Sequence, residues 1–82
     1  MRLPRDLSGT QLASSLRRFG YQPTRQTGSH IRLTSTIRGR PHHVTIPRHG
    51  ALKVGTLATV LADVARYLEL DRQALADELF GR

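Results

Sequence analysis

Two short stretches of alternating residues constrain the fold of this chain more than any other feature of its sequence. Residues 29–34 and residues 43–46 each alternate between a polar side chain and an aliphatic one. Such alternation is typical of a strand with one buried face. If Arg38-Gly39 forms the turn between the two strands, Ile31 lies opposite Ile46, and the aliphatic residues of both strands share one face. The sequence therefore predicts an antiparallel hairpin with one apolar face and one polar face.

The polar face of this hairpin carries charged and hydroxyl side chains that can bind a ligand or transfer a proton. In the same register Arg32 lies opposite Thr45, and Thr34 lies opposite His43.

A weaker strand over residues 21–26 precedes the hairpin, and a turn is predicted at Thr27-Gly28. Because proline cannot donate a hydrogen bond to a neighbouring strand, Pro23 favours an edge position for it.

The segments before and after the strands have the periodicity of helices. Ser8 and Gln11 form the pattern of a capping box, and a helix is predicted over residues 9–19, ended by a left-handed Gly20. A second helix is predicted from about Gly55-Thr56, with an apolar stripe of Leu57, Val60, Leu61, Val64 and Leu68. A short third helix follows the N-cap Asp71. The predicted fold is α+β: helix, three antiparallel strands, helix and a short C-terminal helix, with the helices on the apolar sheet face.

The length of 82 residues predicts a single domain over residues 1–82, with a core at about 7–68 and an acidic C-terminal extension at about 69–82. The chain has no cysteine, which excludes disulfides and thiolate chemistry. We identify neither an apolar run long enough for a membrane nor a secretory signal. A cytoplasmic protein without membrane contact is therefore expected.

Charge is distributed unevenly along the chain. Lysine and arginine number 13 against 6 acidic residues, and no acidic residue occurs between Leu7 and Ala62. A basic surface of this kind attracts polyanions, and nucleic acid is the commonest partner. A merely soluble cationic surface is the alternative.

Gly28-Ser29-His30 is the most suggestive local sequence for chemistry. A glycine in a turn permits close approach of a ligand, and the histidine that follows starts a strand on its polar face. Imidazole titrates near neutral pH, so His30 can act as a general base that removes the 2′-hydroxyl proton of RNA, with no metal required. A surface histidine with a structural hydrogen bond is the alternative for this tripeptide alone.

Basic residues around His30 are candidates for phosphate binding. Arg25 and Arg32 lie on neighbouring strand positions and can offset charge on a pentacoordinate phosphorus. Gly28 and Ser29 of the turn belong to the same candidate site. Lys53 precedes the second helix, whose free N–H groups favour an anion, although a plain helix start with Thr56 as partial cap is equally consistent.

The remaining histidines differ in their expected roles. His42 falls on the buried side and is interpreted as structural, whereas His43 on the polar face is expected to contact phosphate or a protein partner. His49 follows the third strand close to His30 and is a candidate for a second proton-transfer or orienting group. No carboxylate accompanies the four histidines, so no metal site and no cofactor are expected.

Several sequence blocks occur together in an order that resembles a known family. They are Leu7-Ser8-Gly9, Leu16 with Phe19-Gly20-Tyr21, Arg25-Gln26-x-Gly28-Ser29-His30, His43-Val44-Thr45-Ile46-Pro47-x-His49, and Lys53-x-Gly55-Thr56-Leu57. From about Leu7 to Leu61 the chain resembles the HicA toxin family.

The resemblance implies a fold like the double-stranded RNA-binding domain and a ribosome-independent ribonuclease acting on messenger RNA. It also implies neutralisation by a HicB-type antitoxin in a bacterial type II toxin–antitoxin pair. The catalytic histidine of the family lies in the Gly-Ser-His block, which is His30 here. The acidic segment 63–82 departs from the usual pattern, and it is expected either to finish the core or to contact the antitoxin or a second copy.

Two other functions are consistent with the residues. A non-catalytic module for double-stranded RNA would use the same basic surface only to hold RNA. A DNA-binding regulator is less favoured, because no predicted helix has the polar face of a recognition helix. Homo-oligomerisation is left open.

Overall fold

The computed structural model describes residues 3–48 and 50–81. Its helices are α1 (Gly9–Leu16), which continues as a 3-10 helix over Arg17–Phe19, α2 (Val54–Leu68) and α3 (Arg72–Phe80). Its strands are β1 (Gln22–Thr27), β2 (His30–Ser35) and β3 (His42–Pro47). The predicted α+β order is confirmed, and it is consistent with the layout of a double-stranded RNA-binding domain.

The first helix begins and ends where its sequence predicts. Ser8 Oγ accepts a hydrogen bond from the Gln11 N–H at 3.1 Å, and Gln11 Oε1 accepts one from the Ser8 N–H at 2.9 Å. This capping box satisfies N–H groups that the helix itself leaves free. Gly20 ends the segment with φ of 84°, a left-handed conformation that favours glycine.

The sheet has the order β1-β2-β3, with both neighbouring pairs antiparallel. The predicted hairpin register is confirmed: Ile31 pairs with Ile46, and Arg32 pairs with Thr45. The turn predicted at Thr27-Gly28 is displaced by one residue, because Thr27 pairs with His30 and the turn is Gly28-Ser29.

Strand β1 also contains a bulge. The register shifts between Pro23 and Arg25, so Thr24 is an extra residue on this strand. A bulge advances the following residues by one position and bends the strand. It lies beside Pro23, which is confirmed as a residue of an edge strand.

The core lies between the apolar face of the sheet and the helices. Strands β2 and β3 contribute buried residues at alternate positions, and α1 and α2 contribute their apolar stripes, as the sequence predicts, whereas every residue of β1 is exposed. The largest fully buried side chains include Leu12, Leu16, Leu33, Ile46, Leu57 and Leu61. The opposite face of the sheet, which we call the outer face, carries His30, Arg32, Thr34, Thr45 and His43.

The two C-terminal helices differ in how they begin. Lys53 is the N-cap of α2, without a side-chain hydrogen bond, so the suggested capping role of Thr56 is wrong. Asp71 caps α3 as predicted, since its side chain accepts from the Ala74 N–H. Leu75 of α3 is fully buried in the core cluster. The third helix therefore contributes to the core.

A cluster of ring side chains joins the far end of the sheet to α2. The Tyr21 hydroxyl lies 2.6 Å from His42 Nδ1, and His42 Nε2 lies 3.4 Å from Asp63 Oδ1. The His42 ring stacks on Tyr67, with 4.7 Å between ring centroids. Burial raises the pKa of Tyr21, and nearby Tyr67 and Asp63 raise it further. The structural role predicted for His42 is confirmed by these contacts.

Candidate active site

The turn between β1 and β2 presents His30 at the surface. His30 is the first residue of β2 and is exposed, whereas its neighbour Ile31 is buried against the core. Ser29 Oγ lies 3.1 Å from Nδ1 of His30. Because this hydrogen bond occupies Nδ1, the other ring nitrogen, Nε2, is left for an outside ligand.

The end of β3 lies directly beside this turn. His30 pairs with Pro47, and the N–H of Arg48 donates to the Ser29 carbonyl oxygen at 2.7 Å. Arg48 Nη1 also donates to the Gly28 carbonyl oxygen at 3.4 Å. The guanidinium of Arg48 is thus held next to the turn that carries His30.

Arg48 was not selected as a site residue from the sequence. The signal that could have found it was the predicted register, which brings the residues after Pro47 back beside His30. That argument selected His49 instead, and His49 lies outside the described residues.

The start of α1 fixes the position of β3 at this end. A Cβ added at Gly9 would lie 1.8 Å from the carbonyl oxygen of Pro47, so only glycine allows this close approach. The Leu52 N–H also donates to the Leu7 carbonyl oxygen at 2.7 Å. Gly9 therefore packs against the residue that pairs with His30, and Leu7 holds the segment that follows β3.

Gly28 stands in open space in the turn. A Cβ added there would meet nothing within 4 Å, and its φ lies outside the left-handed region. Neither internal packing nor backbone conformation therefore requires glycine at this position. The absence of a side chain leaves the backbone next to His30 accessible from outside.

The candidate arginines lie on the outer face of the sheet. Arg32 is two residues after His30 on β2. Arg25 and Arg32 are direct cross-strand partners, and Arg32 also pairs with Thr45. Arg25 is exposed and Arg32 is half-buried. Two cations opposite each other repel, so their pairing favours an anion placed between or above them.

Lys53 belongs to a different segment from the turn. It is exposed at the N-terminus of α2, where free N–H groups and the helix dipole favour an anion. In residues 3–48 and 50–81, Lys53 makes no hydrogen bond with the turn around His30.

A row of hydroxyl and imidazole groups crosses the outer face beyond the arginines. Thr24 Oγ1 lies 2.7 Å from Thr34 Oγ1, which lies 2.8 Å from Nδ1 of His43. We call these three residues the ladder. The sequence predicted the pairing of Thr34 with His43, which is confirmed, but not the contact of Thr24, because the bulge that turns Thr24 onto this face is not visible in the alternation pattern.

Carboxylates are absent from the outer face of the described sheet. All six acidic residues lie near the N-terminus, on α2 or in the segment from Glu69 onward. Within the described ranges, no group of three or more histidine and acidic residues is arranged to hold a metal ion. The face around His30 therefore combines imidazole, guanidinium and hydroxyl groups.

Among the helices in the described ranges, none has the length and apolar character needed to cross a membrane. Searches of curated proteins and of solved structures gave no significant match. A family model described as the HicA toxin of bacterial toxin–antitoxin systems matches residues 9–65, which include α1, the whole sheet and most of α2. The chain therefore belongs to the HicA toxin family and is the toxin of a bacterial toxin–antitoxin system.

Proposed function

We propose that this toxin is a metal-independent endoribonuclease that cuts messenger RNA, with His30 as the general base. The observation that carries the proposal is the placement of His30. It is exposed at a turn, Nδ1 is held by Ser29, and the surrounding sheet face is basic and free of carboxylates. Such a face attracts the RNA backbone, and an imidazole held there can take up a proton.

The proposed reaction uses a nucleophile from the substrate itself. Nε2 of His30 removes the proton of a ribose 2′-hydroxyl, and the 2′ oxygen forms a bond to the adjacent phosphorus. The bond from phosphorus to the 5′ oxygen of the next nucleotide then breaks, and that oxygen takes a proton from His49 or from water. The products carry a 2′,3′-cyclic phosphate and a 5′-hydroxyl.

Neighbouring groups stabilise the charge that develops in this reaction. The phosphorus gains a fifth ligand and negative charge on its free oxygens, which the guanidinium of Arg48 beside the turn offsets, while Arg25 and Arg32 bind the neighbouring phosphate. Gly28 lets the sugar-phosphate backbone approach the turn. Lys53, with the N-terminus of α2, holds a phosphate farther from the cut.

The proposed partner proteins and location follow from the same role. A HicB-type antitoxin neutralises the toxin in a type II pair and does so most directly by covering His30. Messenger RNA as substrate implies action in the cytoplasm.

Cleavage of RNA in a chelator tests the proposal. Purified protein is incubated with single-stranded RNA in EDTA, and the product ends are identified by mass spectrometry. We expect cuts that leave 2′,3′-cyclic phosphates, and no cuts at nucleotides that carry 2′-deoxyribose. Double-stranded RNA is tested in parallel, and a protein that binds the duplex while neither RNA is cut would instead indicate the non-catalytic module for double-stranded RNA.

A further inference from the structure

The outer face of the sheet is organised in three rows that run across the strands. The first row contains Thr27 and His30, and the second contains Arg25, Arg32 and Thr45. The third row is the ladder of Thr24, Thr34 and His43. Residues two apart on a strand are about 6.7 Å apart, so the rows follow one another at that interval.

The ladder fixes the orientation of His43. Its Nδ1 is engaged by the Thr34 hydroxyl, which Thr24 in turn engages, so Nε2 is the ring nitrogen left for a ligand. His43 and Thr24 are exposed, and exposed hydrogen bonds of this type add little to stability because water competes for them. Their effect is to order the imidazole before a ligand arrives, which lowers the entropy cost of binding.

We propose that the outer face binds an extended single strand of RNA along β2 and β3. The cut linkage lies at His30, the next phosphate lies at Arg25 and Arg32, and the following backbone unit contacts His43. This inference rests on the proposed function, since it takes the cut to be at His30.

The geometry of the rows favours a single strand over a duplex. The interval between rows is comparable to the separation of consecutive phosphates in an extended strand. An A-form duplex also holds each 2′ oxygen to the side of its phosphorus rather than in line with the leaving 5′ oxygen. A strand released from helical geometry can reach the in-line arrangement that the reaction requires.

The side chains of the face favour contacts to the backbone rather than to the bases. None of the eight residues in the three rows is phenylalanine, tyrosine or tryptophan, so the face lacks the large aromatic rings on which successive bases stack. Threonine hydroxyls and imidazole nitrogens can bond ribose 2′-hydroxyls, which distinguish RNA from DNA. We therefore expect RNA to be preferred over DNA with little preference among bases.

Charge decides between RNA and a protein as the occupant. The three rows contain two arginines and two histidines and no carboxylate. Polyanionic RNA gives one negative charge for each backbone unit, which matches a cationic or donor group in each row. A protein partner bound to this face is the alternative that the experiment distinguishes.

Binding measured against oligonucleotide length tests the inference without depending on cutting. The protein carries His30→Ala to prevent cleavage, and fluorescence anisotropy measures its affinity for mixed-sequence RNAs of two to seven nucleotides. We expect affinity to rise up to about four nucleotides and then to level off. His43→Ala and Thr34→Val should each lower affinity for the four-nucleotide RNA, by about tenfold for the histidine, which loses a contact to a charged group.

A variant in the second row tests the phosphate contact, and substitutions of the same residue types on the helices are the matched controls. Arg32→Gln should reduce the salt dependence of binding by about 0.7 in the logarithmic slope, the value for one phosphate contact on a single strand. Arg72→Gln on α3 and Thr59→Val on α2 should keep the parent affinity. Circular dichroism of each variant establishes that the fold is retained.

Three results would overturn the inference. They are affinity that does not depend on length, unchanged RNA affinity in His43→Ala, and loss of affinity in that variant for a protein partner alone. The proposed function fails separately. If the wild-type protein never cuts RNA while binding depends on length and on His43, RNA binding by the outer face is supported and the proposed ribonuclease activity is rejected.

Discussion

At the scale of one residue, substitution of Gly28 tests whether this glycine is needed by the fold or by a ligand. Its position has room for a Cβ and a φ outside the left-handed region. We expect Gly28→Ala to change the free energy of unfolding by no more than about 0.5 kcal/mol, as for other exposed sites. RNA affinity should fall, because the added methyl obstructs the backbone beside His30. Chemical denaturation and RNA binding measured on one preparation check both expectations, and a variant that binds RNA normally would contradict the second.

Tyr21 makes stability depend on alkaline pH. Its pKa lies well above the ordinary value of 10.0 because of burial and, to a smaller extent, Tyr67 and Asp63. Above about pH 10 the unfolded chain loses this proton while the folded protein keeps it, so the free energy of unfolding falls as pH rises further. The contribution is fully present below pH 10.

Urea denaturation between pH 8 and pH 11 measures this dependence. Tyr21→Phe, which has no proton to lose, should show a shallower decline than the wild type. Equal slopes for the two proteins would show that Tyr21 does not cause the decline.

Sequence reasoning at the residue scale predicted the exposed position of His30 but not the contacts around it. Alternation predicts the outward position of His30, whereas its hydrogen bond with Ser29 was not predicted. Arg48 and the ladder depend on contacts between residues distant in the chain, and the ladder also depends on a bulge. Periodicity predicts which residues of β2 and β3 pair, but it shows neither the bulge nor the individual hydrogen bonds.

At the scale of elements, the close approach of α1 to the end of β3 gives a prediction with an unusual sign. Gly→Ala in a helix normally stabilises a protein by about 0.4–1 kcal/mol. Gly9→Ala should instead destabilise it by about 1–3 kcal/mol, because the methyl overlaps the Pro47 carbonyl oxygen. Gly55→Ala in α2 is the matched control, since a Cβ there meets nothing within 4 Å.

Thermal or chemical denaturation of the two variants checks this prediction. Opposite signs for Gly9→Ala and Gly55→Ala would support the packing described for Gly9. Stabilisation by both substitutions would exclude it.

The elements themselves were largely predictable from the sequence, for identifiable reasons. The β2–β3 register followed from two alternating runs that agree with one turn, and the helix starts at Ser8 and Asp71 followed from side-chain capping. The bounds of β1 were one residue off because this strand is exposed throughout and has no apolar alternation that would fix them. The burial of Leu75 was one of two open possibilities, since the packing of a short helix is decided by surfaces that only the folded chain brings together.

At the scale of the whole molecule, charge separates the two sides of the sheet. The outer face is basic, and the carboxylates lie near the N-terminus and on the helical side, where Arg18 pairs with Glu78 and Arg38 with Glu69. The family match covers residues 9–65, so it includes the whole outer face and ends before α3. The basic face and the family assignment thus concern the same part of the chain.

The central claim is that His30 acts as a base in RNA cleavage, and one comparison tests it most directly. Cleavage rates in EDTA are measured for the wild type, His30→Ala and, as a control, Arg72→Gln. We predict that His30→Ala lowers the rate by at least about a hundredfold, the usual minimum for loss of a general base, with an unchanged free energy of unfolding. Arg72→Gln should cut at the wild-type rate. Cleavage by folded His30→Ala at the wild-type rate would contradict the account.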